Sequence, residues 1–205
     1  QSVIDLSGGM LFPLLCLTAI SAIILGMGMT TTAVYITVAA LIVPSLIQAG
    51  VTPIAAHMFA FYFGVVSTIT PPVALASFAG AAIAKSPPMA TAVESSKVGI
   101  AKYIVPFAFI YNPALLMEGS YWISLYSLLS VLLAYWSMTL GLEGYLNKPL
   151  NVYTRIIAFI SSILLLLPPL SIFYGISGFL LNGVGFVILI FVYLIQGKFK
   201  LGHVK

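Results

Sequence analysis

Charge is what this sequence has least of. Eight lysines and arginines and four acids among 205 residues make 6% of the chain charged, against 61% hydrophobic, and the mean hydropathy is +1.17. No soluble domain keeps that balance without precipitating, so the chain reads as an integral membrane protein. Histidine is nearly as scarce. His57 and His203 are the only two, and neither has a carboxylate at a spacing that would build a metal site or an acid–base pair. His57 reads instead as an interfacial hydrogen-bonding residue. Cys16 is the one cysteine, which excludes an intrachain disulfide and a thiolate metal site and leaves it a packing residue. Asp5, Glu94 and Glu118 fall in connections and Glu143 at the end of a span, so no carboxylate relay lies at membrane depth. Ser67 and the other hydroxyls lack a base, which removes hydrolase chemistry, and an enzyme is not expected. Basic residues do not cluster with aromatics, so nucleic acid is not an expected partner. The chain begins at Gln1 with no basic segment or cleavage pattern of a signal peptide, and reads as a fragment of something longer.

What remains is apolar sequence in long runs. The runs do not alternate in polarity, so helices rather than barrel strands cross the bilayer, and the expected fold is all-α. The first run is divided by Gly26-Met27-Gly28-Met29-Thr30-Thr31-Thr32 into arms at residues 10–25 and 33–47, neither carrying a charge. Each arm is short of a full span, so residues 1–50 form either a re-entrant hairpin with its tip at 26–32 or two short spans joined by a tight turn. Residues 51–84 are apolar for longer than one helix needs but are interrupted by Ser67-Thr68-Ile69-Thr70-Pro71-Pro72. Each proline lacks an N–H and disfavours helical geometry in the residue before it, so a discontinuous helix is expected, stopping near Thr70 and restarting near Val73. Residues 85–102 mix lysines and hydroxyls with apolar side chains, as a surface-lying connector would. Further spans are expected at 103–118 and, as three transmembrane helices, within 119–205.

Threading these spans puts Lys85, Lys97, Lys102, Lys148, Arg155, Lys198, Lys200 and Lys205 on one face, which the positive-inside rule makes cytoplasmic, together with the C-terminus. The two-armed element then begins and ends outside in either of its readings. The polar breaks at 26–32 and 67–72 are expected at comparable depth. Helix ends at such breaks offer carbonyls to Na⁺ and N–H groups to a carboxylate, with serine and threonine hydroxyls as neutral oxygen ligands. Glycines at 26 and 28 would let backbone approach the ion, and Thr30, Thr31 and Thr32 supply hydroxyls or helix caps.

These residues are familiar as an ordered set. The run from Gly26 through Tyr35, then Pro44, Gly50-Val51-x-Pro53, Ala56-His57-Met58-Phe59, Ile69-Thr70-Pro71-Pro72-Val73-Ala74-Leu75, Pro106-Phe107 and Tyr111-Asn112-Pro113-Ala114-Leu115-Leu116 resemble the large membrane subunit of tripartite ATP-independent periplasmic (TRAP) transporters. The resemblance is strongest to fused permeases and covers about residues 1–118. Residues 121–205 look like the C-terminal extension of such permeases. The resemblance implies the second of two inverted repeats, with an outward-opening hairpin and a discontinuous partner helix holding one Na⁺ near the substrate. It also implies an elevator movement in a bacterial or archaeal cytoplasmic membrane, small organic acids delivered by a periplasmic binding protein, and partners in the permease's own N-terminal half and small-subunit region. Carried over, the site residues are Gly26, Gly28, Thr30, Thr31, Thr32, Ser67, Thr68, Thr70, Pro71 and Pro72. Fused members commonly have proline where this chain has Thr30, and the first repeat is absent. A non-transporting membrane scaffold is the rival from another class.

Overall fold

A computed structural model of the chain describes residues 10–146, 148–173 and 175–196. Asp5, Lys198, Lys200, His203 and Lys205 lie outside them. The chain divides into two units, the first ending at Leu116 and the second starting at Met117. Both are built of helices, as expected of an all-α membrane protein.

In the first unit, α1 spans Leu11–Gly26 and contains Pro13 in its first turn, where no intrahelical N–H bond is lost. It is followed by α2, Thr31–Leu41, and α3, Val43–Gln48. The expected single arm over 33–47 is therefore divided. Pro44 cannot donate to the carbonyl one turn back, and the chain turns at Ile42, whose own N–H still reaches Val38 O at 2.8 Å. Helix α4 spans Pro53–Val66, opening with its proline at a position where a missing N–H costs nothing. A 3-10 turn, Ser67–Ile69, continues it. The chain then leaves helical geometry until α5, Leu75–Ala84.

Helix α4 is the centre of this unit, with α1, α2 and a later helix, α7 (Ala101–Tyr111), packed around it. Phe59 and Phe63 are almost fully buried. Their rings meet at 4.8 Å between centroids, and Phe107 of α7 stands edge-on to both at 5.3 and 5.8 Å. Outward-facing Phe12, Ile20, Ile24, Ile36 and Leu41 are exposed, the side-chain choice for a surface wetted by lipid rather than water.

Between α5 and α7 lies α6, Pro88–Val98, of which only Ala92 is buried. Its lysine and acid, Lys97 and Glu94, pair at 3.0 Å in solvent. Helix α7 stops at Tyr111 rather than running on to residue 118. Asn112 precedes Pro113 and takes a non-helical conformation, and a 3-10 turn, Pro113–Leu116, ends the unit. Eleven residues make about 16 Å of helix.

The second unit holds α8 (Tyr121–Glu143), α9 (Val152–Leu166) and α10 (Gly178–Gln196). By length and composition α8 and α10 can each cross a bilayer. Helix α9 ends at Leu166 because Pro168 and Pro169 follow it, and the chain closes into a minimal hairpin, β1 Ile172–Phe173 against β2 Ile176–Ser177. Serines bind the helices across small-residue faces. Ser130 Oγ donates to Leu165 O at 2.7 Å, Ser137 Oγ to Ala158 O at 2.9 Å and Ser161 Oγ to Gly185 O at 2.7 Å. A Cβ at Gly141 would lie 2.8 Å from Phe159, so α8 and α9 approach as closely as small side chains permit. Arg155 caps α8, donating from Nε to Gly141 O at 2.8 Å and from Nη2 to Leu142 O at 2.7 Å, which ties up one of the charges counted for orientation.

Candidate functional site

The two polar breaks of the first unit meet. Gly26 is the last residue of α1 and is buried, so its carbonyl is one of those a helix end leaves without an intrahelical partner. Ser67, at the end of α4, is 0% exposed. Its Oγ lies 3.2 Å from Gly26 O and 2.6 Å from Gly64 O. With one hydrogen to give, the hydroxyl donates most strongly to Gly64 O, and its lone pairs stay beside the Gly26 carbonyl. Glycine at 26 is a requirement of this contact. A Cβ there would fall 2.6 Å from Ser67 Cβ and 3.2 Å from Val34 Cγ1, and closer still to the Ser67 hydroxyl.

The tip is shorter than 26–32. Met27 is extended, Gly28 takes φ +78°, and Thr30 is the N-cap of α2, its Oγ1 accepting from Ala33 N at 3.4 Å. The positive φ is a conformation glycine adopts without strain. A Cβ at Gly28 would lie 4.0 Å from Val73 Cγ1, so the tip faces the second break here too. Thr31 and Thr32 stand in the first turn of α2 and are exposed; of the three threonines, Thr30 does the capping.

At the second break every hydroxyl returns a hydrogen to the preceding turn. Thr68 Oγ1 donates to Val65 O at 2.7 Å and Thr70 Oγ1 to Val66 O at 2.7 Å. These bonds reach carbonyls in the last turn of α4, where Thr70 N has turned from Val66 O to Ser67 O at 3.3 Å. The Pro71–Pro72 peptide bond is cis, and α5 then starts from Ala74 with no side-chain cap on its N–H groups. Ser67 and Thr70 point to different neighbours: Ser67 to the tip, Thr70 to the connector. Thr70 Oγ1 lies 2.7 Å from Tyr103 OH, Tyr103 OH lies 3.3 Å from Ser96 Oγ, and Ser96 Oγ donates to Ile69 O at 2.9 Å.

Ser96 and Tyr103 are absent from the set read from sequence. Ser96 looked like one of several polar residues on a surface helix, and Tyr103 like the start of a span. Gly99 lets the connector close on the break, since a Cβ there would lie 2.7 Å from Ile69 Cδ1. Beside this network is a cavity of about 310 Å³ lined by Pro71, Val93, Ser96, Lys97, Ile100 and Tyr103. Away from the break, His57 Nδ1 lies 3.0 Å from Tyr35 OH, linking the start of α4 to α2. Among the described residues no group of three or more histidine, cysteine or acidic side chains could hold a metal ion. The oxygens at the breaks are all neutral, from carbonyls and hydroxyls.

A family model described as the tripartite ATP-independent periplasmic transporter, DctM component, matches residues 1–121. Comparison with curated proteins and with solved structures gave no match. The family match takes in the whole first unit, with both breaks and the connector, and the chain therefore belongs to the DctM family, the large membrane permease component of the TRAP transporters.

Proposed function

We propose that the two breaks form a Na⁺ site in a permease that imports small organic acids. Membership of the family implies a transporter permease of the inner membrane, working with a periplasmic binding protein and a small membrane subunit. Beyond that, residues 10–48 act as a re-entrant hairpin opening outward, and α4 and α5 as the halves of one discontinuous membrane helix in the second of two inverted repeats. The observation that carries this reading is the buried approach of Ser67 Oγ to Gly26 O at 3.2 Å, which joins the tip to the break. Irregular backbone inside hydrocarbon is tolerated only where protein or a water-lined cavity surrounds it, and neutral oxygens brought together there suit Na⁺. Gly26 O, Ser67 Oγ and Thr70 Oγ1 are the proposed ion ligands, with Thr68 supporting the break. Gly28, Thr30, Thr31 and Thr32, with the free N–H groups at the start of α5 beyond Pro71 and Pro72, face the carboxylate of the substrate. The acid arrives from the binding protein, and the hairpin and broken helix carry it across together as an elevator. Lys85, Lys97, Lys102, Lys148 and Arg155 mark the cytoplasmic side.

The test is uptake by the complete permease in proteoliposomes, using the radiolabelled acid found bound to its binding protein. An inward Na⁺ gradient should drive accumulation and a K⁺ gradient of equal size should not. Thr31→Ala combined with Thr70→Ala should abolish the Na⁺-driven component. Equal accumulation with either cation would overturn the proposal.

A further inference from the structure

We propose that Tyr103 and Ser96 of the connector are positioning residues that set the Na⁺ affinity of the break by holding Thr70 and the Ile69 carbonyl in place. The inference rests on the Na⁺-site reading above and adds residues to it that lie outside both breaks.

We take the direction of the network from the bonds that end on carbonyls, which can only accept. Thr70 Oγ1 gives its hydrogen to Val66 O at 2.7 Å, and Ser96 Oγ gives its own to Ile69 O at 2.9 Å. Neither has a second hydrogen. With Thr70 giving its hydrogen to Val66 O, the phenol's single hydrogen goes to Thr70 Oγ1 at 2.7 Å, and the 3.3 Å approach to Ser96 Oγ is left without one. Both chains of bonds end on carbonyls, of Val66 and Ile69, at the frayed end of α4. The Thr70 hydroxyl has given one hydrogen and received one, so a lone pair remains for a cation and no hydrogen remains to repel it. Without the phenol, Thr70 could still bond Val66 O, but nothing would select one side of its oxygen.

The placement is specific to this end of α4. Ser67, one turn earlier, is held by the tip, whereas Ile69 and Thr70 are held by the connector. The break thus sits between two clamps, and only one of them belongs to the hairpin. Gly99 makes the second clamp possible by clearing the approach to Ile69.

The test measures ²²Na⁺ binding to the complete permease, purified in detergent, for wild type, Tyr103→Phe, Ser96→Ala, Ser96→Thr, Thr70→Ala and Tyr103→Phe combined with Thr70→Ala. One neutral hydrogen bond should be worth roughly a three- to tenfold change in Kd. Tyr103→Phe and Ser96→Ala should each weaken Na⁺ binding by that factor, and Ser96→Thr, which keeps the hydroxyl, should bind as wild type does. In the Thr70→Ala background Tyr103→Phe should add less than twofold, because the two residues act through one contact. Unchanged Kd in Tyr103→Phe, or full additivity with Thr70→Ala, would overturn the inference while leaving the Na⁺ site standing. No saturable Na⁺ binding by wild type would overturn the site reading itself and this inference with it. A merely structural role would lower the yield of folded permease without shifting Kd in what remains.

Discussion

Gly26→Ala tests the junction of the two breaks. The added methyl would lie 2.6 Å from Ser67 Cβ and 3.2 Å from Val34 Cγ1, with the Ser67 hydroxyl nearer still. Ser67 has little room to retreat, being 0% exposed and tied to Gly64 O at 2.6 Å. Overpacking of this kind costs about 1–3 kcal/mol, and pushing the hydroxyl off Gly64 O, which takes its hydrogen at 2.6 Å, removes about 1 kcal/mol more. Alanine in a helix regains up to about 1 kcal/mol over glycine. The net expectation is a destabilisation of about 1–3 kcal/mol by these terms. It should appear as a lower midpoint in thermal unfolding of the purified complete permease and as weakened Na⁺ binding in the folded fraction. Ser67→Gly, which removes both colliding atoms, should restore much of the stability of Gly26→Ala, whereas Ser67→Ala, which leaves Cβ at the 2.6 Å position, should restore less. Wild-type stability in Gly26→Ala, or additive effects of the two substitutions, would refute the contact.

In the second unit, Asn182 of α10 is 1% exposed, and its amide nitrogen, turned toward the carbonyls that end α9, reaches Leu164 O at 2.7 Å and Leu167 O at 3.2 Å. Asn182→Leu should cost about 1–3 kcal/mol in stability by leaving those carbonyls without a donor, with thermal unfolding as the readout and wild-type stability as the contrary result. Cysteines at Gly28 and Val73, in a Cys16→Ala background, should be joined by a short reducible bis-methanethiosulfonate cross-linker, since a Cβ at residue 28 would lie 4.0 Å from Val73 Cγ1. That link should stop uptake until it is reduced, and a failure to cross-link would separate the tip from the break.

The helices and their interruptions were legible wherever one residue type decides the backbone. The positive φ at Gly28 is one of several conformations open to glycine, whereas the halt of α4 before Pro71 and Pro72 follows from the side chains themselves. The same rule, applied to Pro44, Pro113 and Pro168, accounts for the divided α2 and α3 and for the early ends of α7 and α9. Those prolines lie inside apolar runs, where hydropathy masks a missing N–H. The meeting of Gly26 with Ser67, forty-one positions apart in the chain, carries no local signal, and neither does the reach of Tyr103 to Thr70 across thirty-three. Threonine chemistry was legible only in part. Thr30 caps as its type predicts, but nothing in Thr68 or Thr70 announces which carbonyl will take the hydrogen. The place of Gly99 against Ile69 depends wholly on how α6 folds back.

The most direct measurement is the Na⁺ concentration dependence of uptake by the complete permease with Ser67 intact and with Ser67→Ala. Removing one neutral oxygen beside Gly26 O should raise the half-saturating Na⁺ concentration by about tenfold, the equivalent of roughly 1.4 kcal/mol, with Ser67→Thr closer to wild type. An unchanged half-saturating concentration in Ser67→Ala, with normal uptake, would contradict a Na⁺ site at the junction of the two breaks.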